Sequence, residues 1–372
     1  MDFQLTEEQV LLRDTTRDLL SVGYDIETRN RVVESGPGFC PQMWKQLADI
    51  GILGLGFDPA ESGPIEIMVS LTEIGRRLAP EPVLNAALGP GSVILERGTP
   101  DQRKLLDDVA AGQKLLAFAH TEPGMRSPAA AVSTSAVRQG DSWALNGRKN
   151  PVLAGDCADV LIVSALLPDG GVGLFLVDSD ESNPGVTRHS YPTFDALRAA
   201  QIDLSGALAE PLGDPTDATP AIEHAVVRVK SALCAEAVGA MEEALRLTTE
   251  YLKTRKQFGV TLNTFQALTQ RAADMYVSLE LARSMSLYAA ISIAEGNYDP
   301  VIAARAKLQI GRSGRHIAQE AIQLHGGIGM AWEYPVGHYA ARLTAIEYTW
   351  GSTQDQLHIL ASQVGNYDVV RL

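Results

Sequence analysis

Hydrophobic periodicity changes twice along this 372-residue chain, and the order of the changes limits the folds open to it. Up to about Gly112 the spacing is helical. Thr6 followed by Gln9 reads as a capping box, and Val10, Leu11, Leu19 and Leu20 fall near helical spacing. Pro41 opens a second helical pattern, Met43-Trp44-Leu47-Ile50, that Gly51 can end. A third runs through Ile67, Leu71 and Ile74 and stops before Pro80. From about Leu115 to Pro220 the apolar runs shorten to segments such as Asp159–Ala165 and Gly173–Val177. Turn signals, including Asn146-Gly147 and Asp169-Gly170-Gly171, separate them, which predicts a small antiparallel β domain. From about Ala221 the pattern is helical again. Leu268, Ala272, Met275, Leu279, Ala282, Ala289 and Ile293 mark one buried face, and Ala232, Ala235, Ala237, Gly239 and Ala240 let neighbouring helices approach closely. The expected class is mainly α with a middle β domain, divided as 1–114, 115–220 and 221–372, the last part an antiparallel bundle.

Hydrophobic residues make up 45% of the chain, enough for a large core, and charged residues 20% without long runs of one sign. The formal net charge of -14 argues against nucleic acid as a partner, because a phosphate-binding face needs clustered Lys and Arg. It leaves room for a locally basic pocket that takes a phosphorylated cofactor. Cys40, Cys157 and Cys234 are far apart and odd in number, so buried inert thiols are expected rather than disulfides or a metal cluster. The start, MDFQLTEEQV, carries acids where a secretory signal has basic and then apolar residues, and no apolar stretch is long enough to span a bilayer. A soluble cytoplasmic protein with no membrane association is expected.

Two motifs near the C-terminus narrow the reading. One is Tyr251 to Gly259, YLKTRKQFG, followed by Phe265-Gln266; the other is Gln323 to Pro335, QLHGGIGMAWEYP. Together with LADIGILGLGF, TEIGRRLAPEP and the HTEPG of His120–Gly124, they resemble the acyl-CoA dehydrogenase family over essentially the whole chain. The 68 positions between Arg255 and Gln323 agree with the family's layout. The resemblance implies the acyl-CoA dehydrogenase fold: an N-terminal helical domain, a β-barrel-like middle domain and a C-terminal four-helix bundle. It also implies FAD held by two chains, with one chain's bundle reaching over to its neighbour's pyrophosphate and adenosine end. Residues matching that role are present. Arg255 would offer a fixed fork of donors to the pyrophosphate. Phe258 would pack against the cofactor, Gln266 and Gln323 would donate amide hydrogen bonds, and Gly326 and Gly327 would let the backbone come close.

The residues of the family's chemistry are absent. Its base is a glutamate that takes the α proton of an acyl thioester, in a Tyr-Glu-Gly-Thr motif. Here that run is Tyr348-Thr349-Trp350-Gly351-Ser352-Thr353, and the base position, 27 after Gln323, is Trp350, whose indole only donates. The other placement used in the family, 26 positions before Arg255, is Val229. In the middle domain Met125-Arg126-Ser127-Pro128 replaces the family's small residue and Gly-Ser-Asp. Pro151-Val152-Leu153 replaces the Trp-Ile-Thr that contacts the flavin ring, so aromatic cover and a hydroxyl donor are lost, and proline removes an N–H.

The losses fall on this chain's own flavin and its chemistry, while the residues that would serve a neighbour's FAD remain. The resemblance therefore implies a subunit with no catalytic residue of its own. It would complete the FAD site of a homologous chain that carries the glutamate and most of the acyl-CoA site. Such an arrangement is similar to the α2β2 acyl-CoA dehydrogenases of actinobacteria that act on steroid side-chain CoA thioesters. Electrons would pass on to an electron-transfer flavoprotein. Two other readings stand beside it. One is a self-sufficient homotetramer with Glu347 or Glu236 as relocated base, against which Glu347 reads as exposed or ion-paired and Glu236 as solvated or capped. The other is a flavin-free acyl-CoA-binding or scaffold protein on the same fold.

Overall fold

Seven α-helices lead the chain in the computed structural model, which describes residues 4–125, 131–140, 142–179 and 182–366. They are α1 (Glu7–Gly23), α2 (Ile26–Val33), α3 (Pro41–Asp49), α4 (Pro64–Arg77), α5 (Gly89–Arg97), α6 (Pro100–Arg103) and α7 (Leu105–Ala110). The capping box of α1 forms as read: Gln9 N donates to Thr6 Oγ1 at 3.2 Å and Thr6 N to Gln9 Oε1 at 3.0 Å. Pro41 sits in the first turn of α3, and Gly51 takes the left-handed φ of +81° just past its end. Among the described residues no helix is long and apolar enough to cross a membrane. Cys234 is buried, whereas Cys40 and Cys157 are half-buried, and all three are free thiols.

Contacts divide the chain into two units, one of residues 31–67 and 80–229, the other of residues 1–30, 68–79 and 230–372. The first contains strands β1 (Leu116–Ala119), β2 (Ser135–Gln139), β3 (Ser142–Leu153), β4 (Val160–Leu166), β5 (Val172–Asp178), β6 (Val186–Pro192) and β7 (Arg198–Pro211). Pairings β2–β3, β3–β7, β7–β5, β5–β4 and β4–β2 close a small barrel, with β1 added beside β4 and β6 beside β7. Leu145, Leu161, Val163, Phe175, Val177 and Ile202 fill its interior, and Trp143 tilts against Phe175 at 5.3 Å. The sheet is mixed, not antiparallel as the sequence suggests. Both β1 and β2 pair with β4 in parallel, and neither leads directly into it: the β2–β3 hairpin intervenes after β1, and β3 after β2.

Asn146-Gly147 is also not a turn. It lies inside β3 where the register against β7 slips, a bulge, and a Cβ on Gly147 would lie 2.6 Å from Thr134 Oγ1. The same strand carries Lys149, fully buried, whose Nζ donates to Glu122 Oε1 at 2.8 Å, Ser164 Oγ at 3.1 Å and the His120 carbonyl at 3.2 Å. Burial works to raise the Glu122 carboxyl, but Lys149, Ser133 and Thr134 donate to it and hold it at about 2. The HTEPG motif and the β3 stretch that follows Gly147 thus meet as a buried ion pair, Glu122 with Lys149, that fixes the barrel wall.

The second unit is helical. It takes α8 (Thr219–Thr254) from Lys230 onward, a hairpin of β8 (Lys256–Gln257) and β9 (Val260–Thr261), then α9 (Gln266–Ala294), α10 (Pro300–His325), α11 (Pro335–Tyr348) and α12 (Thr353–Ser362). α10 is central, packing on α9, α11 and α12. The face predicted for α9 is buried at Met275, Leu279, Ala282, Ala289 and Ile293 and half-buried at Leu268 and Ala272. The small residues of α8 bring it against α4 backbone to backbone. A Cβ on Gly239 would lie 1.8 Å from the Thr72 carbonyl oxygen, and one on Gly75 1.9 Å from that of Glu236.

Candidate cofactor half-site

The last turn of α8 closes with Arg255 N donating to the Tyr251 carbonyl at 2.8 Å, and the chain turns at once into the β8–β9 hairpin. Gln257 pairs with Val260, so the connection has two residues, Phe258 and Gly259, both left-handed at φ +54° and +82°. Those angles are what a type I′ turn requires, a geometry that matches the twist of the flanking strands. Glycine and asparagine accept it readily; phenylalanine pays about 1–2 kcal/mol for it. The strained residue then shows its ring to the outside at 91% exposure, edge-on to Phe265 at 6.2 Å. An aromatic ring exposed on a strained backbone is an arrangement that folding alone does not favour.

Arg255 is exposed, and among the described residues its guanidinium makes no hydrogen bond or ion pair. Gln266, also exposed, is the first residue of α9, whose N-cap Phe265 makes no side-chain cap hydrogen bond to the first turn. The positive end of a long helix and a free guanidinium therefore stand a few residues apart, on either side of the hairpin.

The second motif supplies the other side. α10 ends at His325, and Gly326 follows at φ +66°, ψ −143°, a region that essentially only glycine occupies. So Gly326 does end the helix. Gln323, Gly326 and Gly327 are all exposed, and an added Cβ at either glycine would meet nothing within 4 Å. Gly327 has neither a positive φ nor a close neighbour, so no contact within this chain demands a glycine there. A second molecule lying against the backbone would demand it, and this fits a cofactor approaching from outside.

The two motifs meet. The Tyr251 ring, four residues before Arg255, stacks on the His325 ring at 4.6 Å, and Arg271 near the start of α9 pairs with Glu320 near the end of α10. All six residues named from the sequence thus lie at one end of the bundle, on the turn after α8, at the start of α9, in the last turn of α10 and just past its end. Tyr251 and His325 are what the sequence reading missed; their spacing of 74 positions carries no local signal. Phe258→Asn is expected to relax the turn. Amide exchange across the β8–β9 hairpin should slow about fivefold in the isolated chain, for roughly 1 kcal/mol of released strain. Unchanged exchange would mean the left-handed Phe258 costs nothing.

At the base position the structure holds Trp350, itself left-handed at φ +58°. Lys307 Nζ donates to the Ile346 and Glu347 carbonyls at 2.7 and 2.9 Å and to that of Gly351 at 3.3 Å. Lys230 Nζ donates to Gln356 Oε1 at 2.9 Å, and Gln356 Nε2 to the Gly351 carbonyl at 3.1 Å. Burial pushes both ammonium groups down to about 8. The turn at the expected base position is here anchored by two buried lysines, Lys307 directly and Lys230 through Gln356. Val229 is buried and apolar.

Neither relocated carboxylate is free. Glu347 is paired with Arg315, one of the two alternatives to its being a base, and it is buried rather than exposed. Glu236 is not solvated, contrary to that reading. It is 7% exposed, and Arg342 reaches both its oxygens at 2.6 and 2.8 Å, because a residue 106 positions away on α11 comes back to face it. In the barrel, Pro151 is exposed on β3 while Val152 points into the core, and no aromatic side chain replaces the missing tryptophan in that segment. Of the Met125–Pro128 departure, positions 126–128 lie outside the described residues.

Residues 221–365 match the family model described as acyl-CoA dehydrogenase, C-terminal domain, and residues 117–204 the model of the middle domain. The chain is 30% identical to a probable acyl-CoA dehydrogenase of Bacillus subtilis, YngJ, over 98% of its own length and 100% of the relative's. Among solved structures it is similar to a variant of the Tcur3481-Tcur3483 steroid ACAD, with 32% identity, TM-score 0.89 and coverage of 97% and 98%. It is also similar to the ChsE4-ChsE5 complex from Mycobacterium tuberculosis, with 25% identity, TM-score 0.90 and coverage of 99% and 100%.

Proposed function

This chain belongs to the acyl-CoA dehydrogenase family, and from that premise we propose that it is the non-catalytic subunit of a heteromeric, FAD-dependent acyl-CoA dehydrogenase. The observation that carries the reading is a contrast within one helical unit. Trp350 stands at the base position and Glu347 and Glu236 are paired with arginines, while Arg255, Gln266 and Gln323 are exposed and their side chains make no hydrogen bond or ion pair among the described residues. The flavin, when bound, supplies the hydride acceptor for α,β-dehydrogenation of the acyl thioester. This chain's part is to hold it. Arg255 meets the pyrophosphate as a charged fork, Phe258 covers the cofactor, Gln266 and Gln323 donate amide hydrogen bonds, and Gly326-Gly327 admits it closely.

The catalytic glutamate and most of the acyl-CoA site then belong to a homologous partner in an α2β2 assembly, divided in each chain near 114 and 220. Similarity to a steroid ACAD and to a two-protein complex supports a steroid or cholesterol side-chain CoA as substrate. The reading also takes the assembly as cytoplasmic, with an electron-transfer flavoprotein as acceptor.

The test is flavin content of the chain expressed alone and with its adjacent-gene homologue. Little FAD alone and about one per pair of unlike chains is expected. One FAD per chain in an active homotetramer would overturn the reading and make Glu347→Gln and Glu236→Gln the next variants. A colourless complex with the homologue would favour the flavin-free scaffold instead.

A further inference from the structure

His325 makes three different contacts with one ring. Its Nδ1 donates to the Ala321 carbonyl at 2.8 Å, its Nε2 faces the Tyr334 hydroxyl at 3.1 Å, and its face lies on Tyr251 at 4.6 Å. With Nδ1 carrying the proton, Nε2 is left to accept from Tyr334. A neutral imidazole is the side chain that offers a donor, an acceptor and a flat apolar face at once. The Nε2–hydroxyl bond joins the two ends of the segment 325–334, which contains Gly326, Gly327 and Gly329, and the Tyr251 stack ties that segment to the end of α8.

Resting on the half-site reading above, we propose that His325 is a positioning residue for FAD, acting through Tyr334 and Tyr251. It holds the glycine-rich turn and the Arg255 end of α8 in the arrangement the cofactor meets. The physical reason is entropic. Three glycines in a short segment have large conformational freedom, and a loop not already fixed must be ordered by the ligand, which weakens binding.

The contact also sets a sign for pH. Burial holds the imidazole below its ordinary 6.5, against the pull of the Ala321 and Leu247 carbonyls. Facing it from α8 are Tyr251, the Leu247 carbonyl and, beside Tyr334, Arg246, whose charge is matched by Glu243 at 2.6 Å. From the segment after α10 comes Tyr334. The neutral ring is therefore the form at pH 7. Its contribution is present above the lowered pKa and lost as pH falls through it, when Nε2 gains a proton and charge enters the stack.

The experiment compares wild type, Tyr334→Phe and His325→Gln in the two-chain complex, reading the FAD dissociation constant by flavin fluorescence from pH 8 to pH 5. Amide exchange at residues 326–330 of the isolated chain gives a second readout. Removing the Tyr334 hydroxyl is expected to weaken FAD about five- to tenfold at pH 8, the worth of one hydrogen bond, and to speed exchange in the turn by a similar factor. Wild-type affinity should fall further below pH 6.5, and His325→Gln, with polar atoms but no titration there, should lose that step. Wild-type flavin binding that neither variant alters, with the pH step intact in His325→Gln, overturns the positioning role and leaves the half-site standing. A wild-type complex without flavin removes the half-site, and the positioning role with it.

Discussion

Arg255→Ala is expected to strip FAD from the two-chain complex while leaving the isolated chain as stable as wild type. The argument has two halves. Within the chain the guanidinium is exposed and makes no hydrogen bond or ion pair among the described residues, so its removal costs no native contact. Surface changes of that kind stay within about 0.5 kcal/mol. In the complex the same group would face a pyrophosphate carrying two negative charges, where a planar fork makes short, charge-assisted bonds. Losing one partner of such a pair costs about 2–4 kcal/mol, or roughly 30- to 700-fold in the FAD dissociation constant. Arg255→Lys keeps the charge and loses the fork, so an intermediate loss is expected. Flavin titration of the purified complex reads both. If Arg255→Ala holds FAD as tightly as wild type, Arg255 does not meet the pyrophosphate. If it melts the isolated chain, the residue is structural.

How much of this was legible in the sequence depends on how local each feature is. Helix starts and stops were legible at Thr6, Pro41 and Gly51, because caps and left-handed glycines act within one turn. Asn146-Gly147 misled because the pair suits a bulge as well as a turn, and only its pairing with β7 and the closeness of Thr134 decide between them. The parallel β1–β4 pairing was hidden for a related reason: alternation along a strand says which face is buried, not which strand lies beside it. At the site, motif spacing named residues just past α8, at the start of α9 and around the end of α10, but the Tyr251–His325 stack that joins the ends of α8 and α10 depends on side chains far apart in sequence. Glu236 shows the same limit in energetic form. A carboxylate seven residues past Val229 on a helix reads as solvated until Arg342 arrives from α11 to share its burial.

Gly239→Ala should be the most damaging single methyl added to this chain. On an isolated helix the change is favourable by about 1 kcal/mol, since alanine is the better helix former. In the bundle the new Cβ would lie 1.8 Å from the Thr72 carbonyl oxygen, and neither is the end of a flexible side chain. Relief requires α4 and α8 to separate by more than 1 Å, by comparison with ordinary C···O contacts of about 3.3–3.6 Å. A gap of that size forfeits a quarter to a half of the dispersion well of every pair across the crossing. The same separation stretches the Thr72 hydroxyl bond to the Ala235 carbonyl, now 3.3 Å. A net loss of about 2–4 kcal/mol is expected after the helix gain. Gly75→Ala presses the Glu236 carbonyl at 1.9 Å in the same crossing, so the double variant should cost less than the sum: helices already parted have room for the second methyl. Gly327→Ala is the control that separates two uses of glycine. It adds a methyl into open space at an ordinary φ, so the isolated chain should melt as wild type while FAD binding by the complex weakens. Urea unfolding of the four isolated chains, followed by flavin titration of those that fold, reads each outcome. A Gly239→Ala chain with wild-type stability would mean the α4–α8 crossing is looser than its backbone contacts indicate.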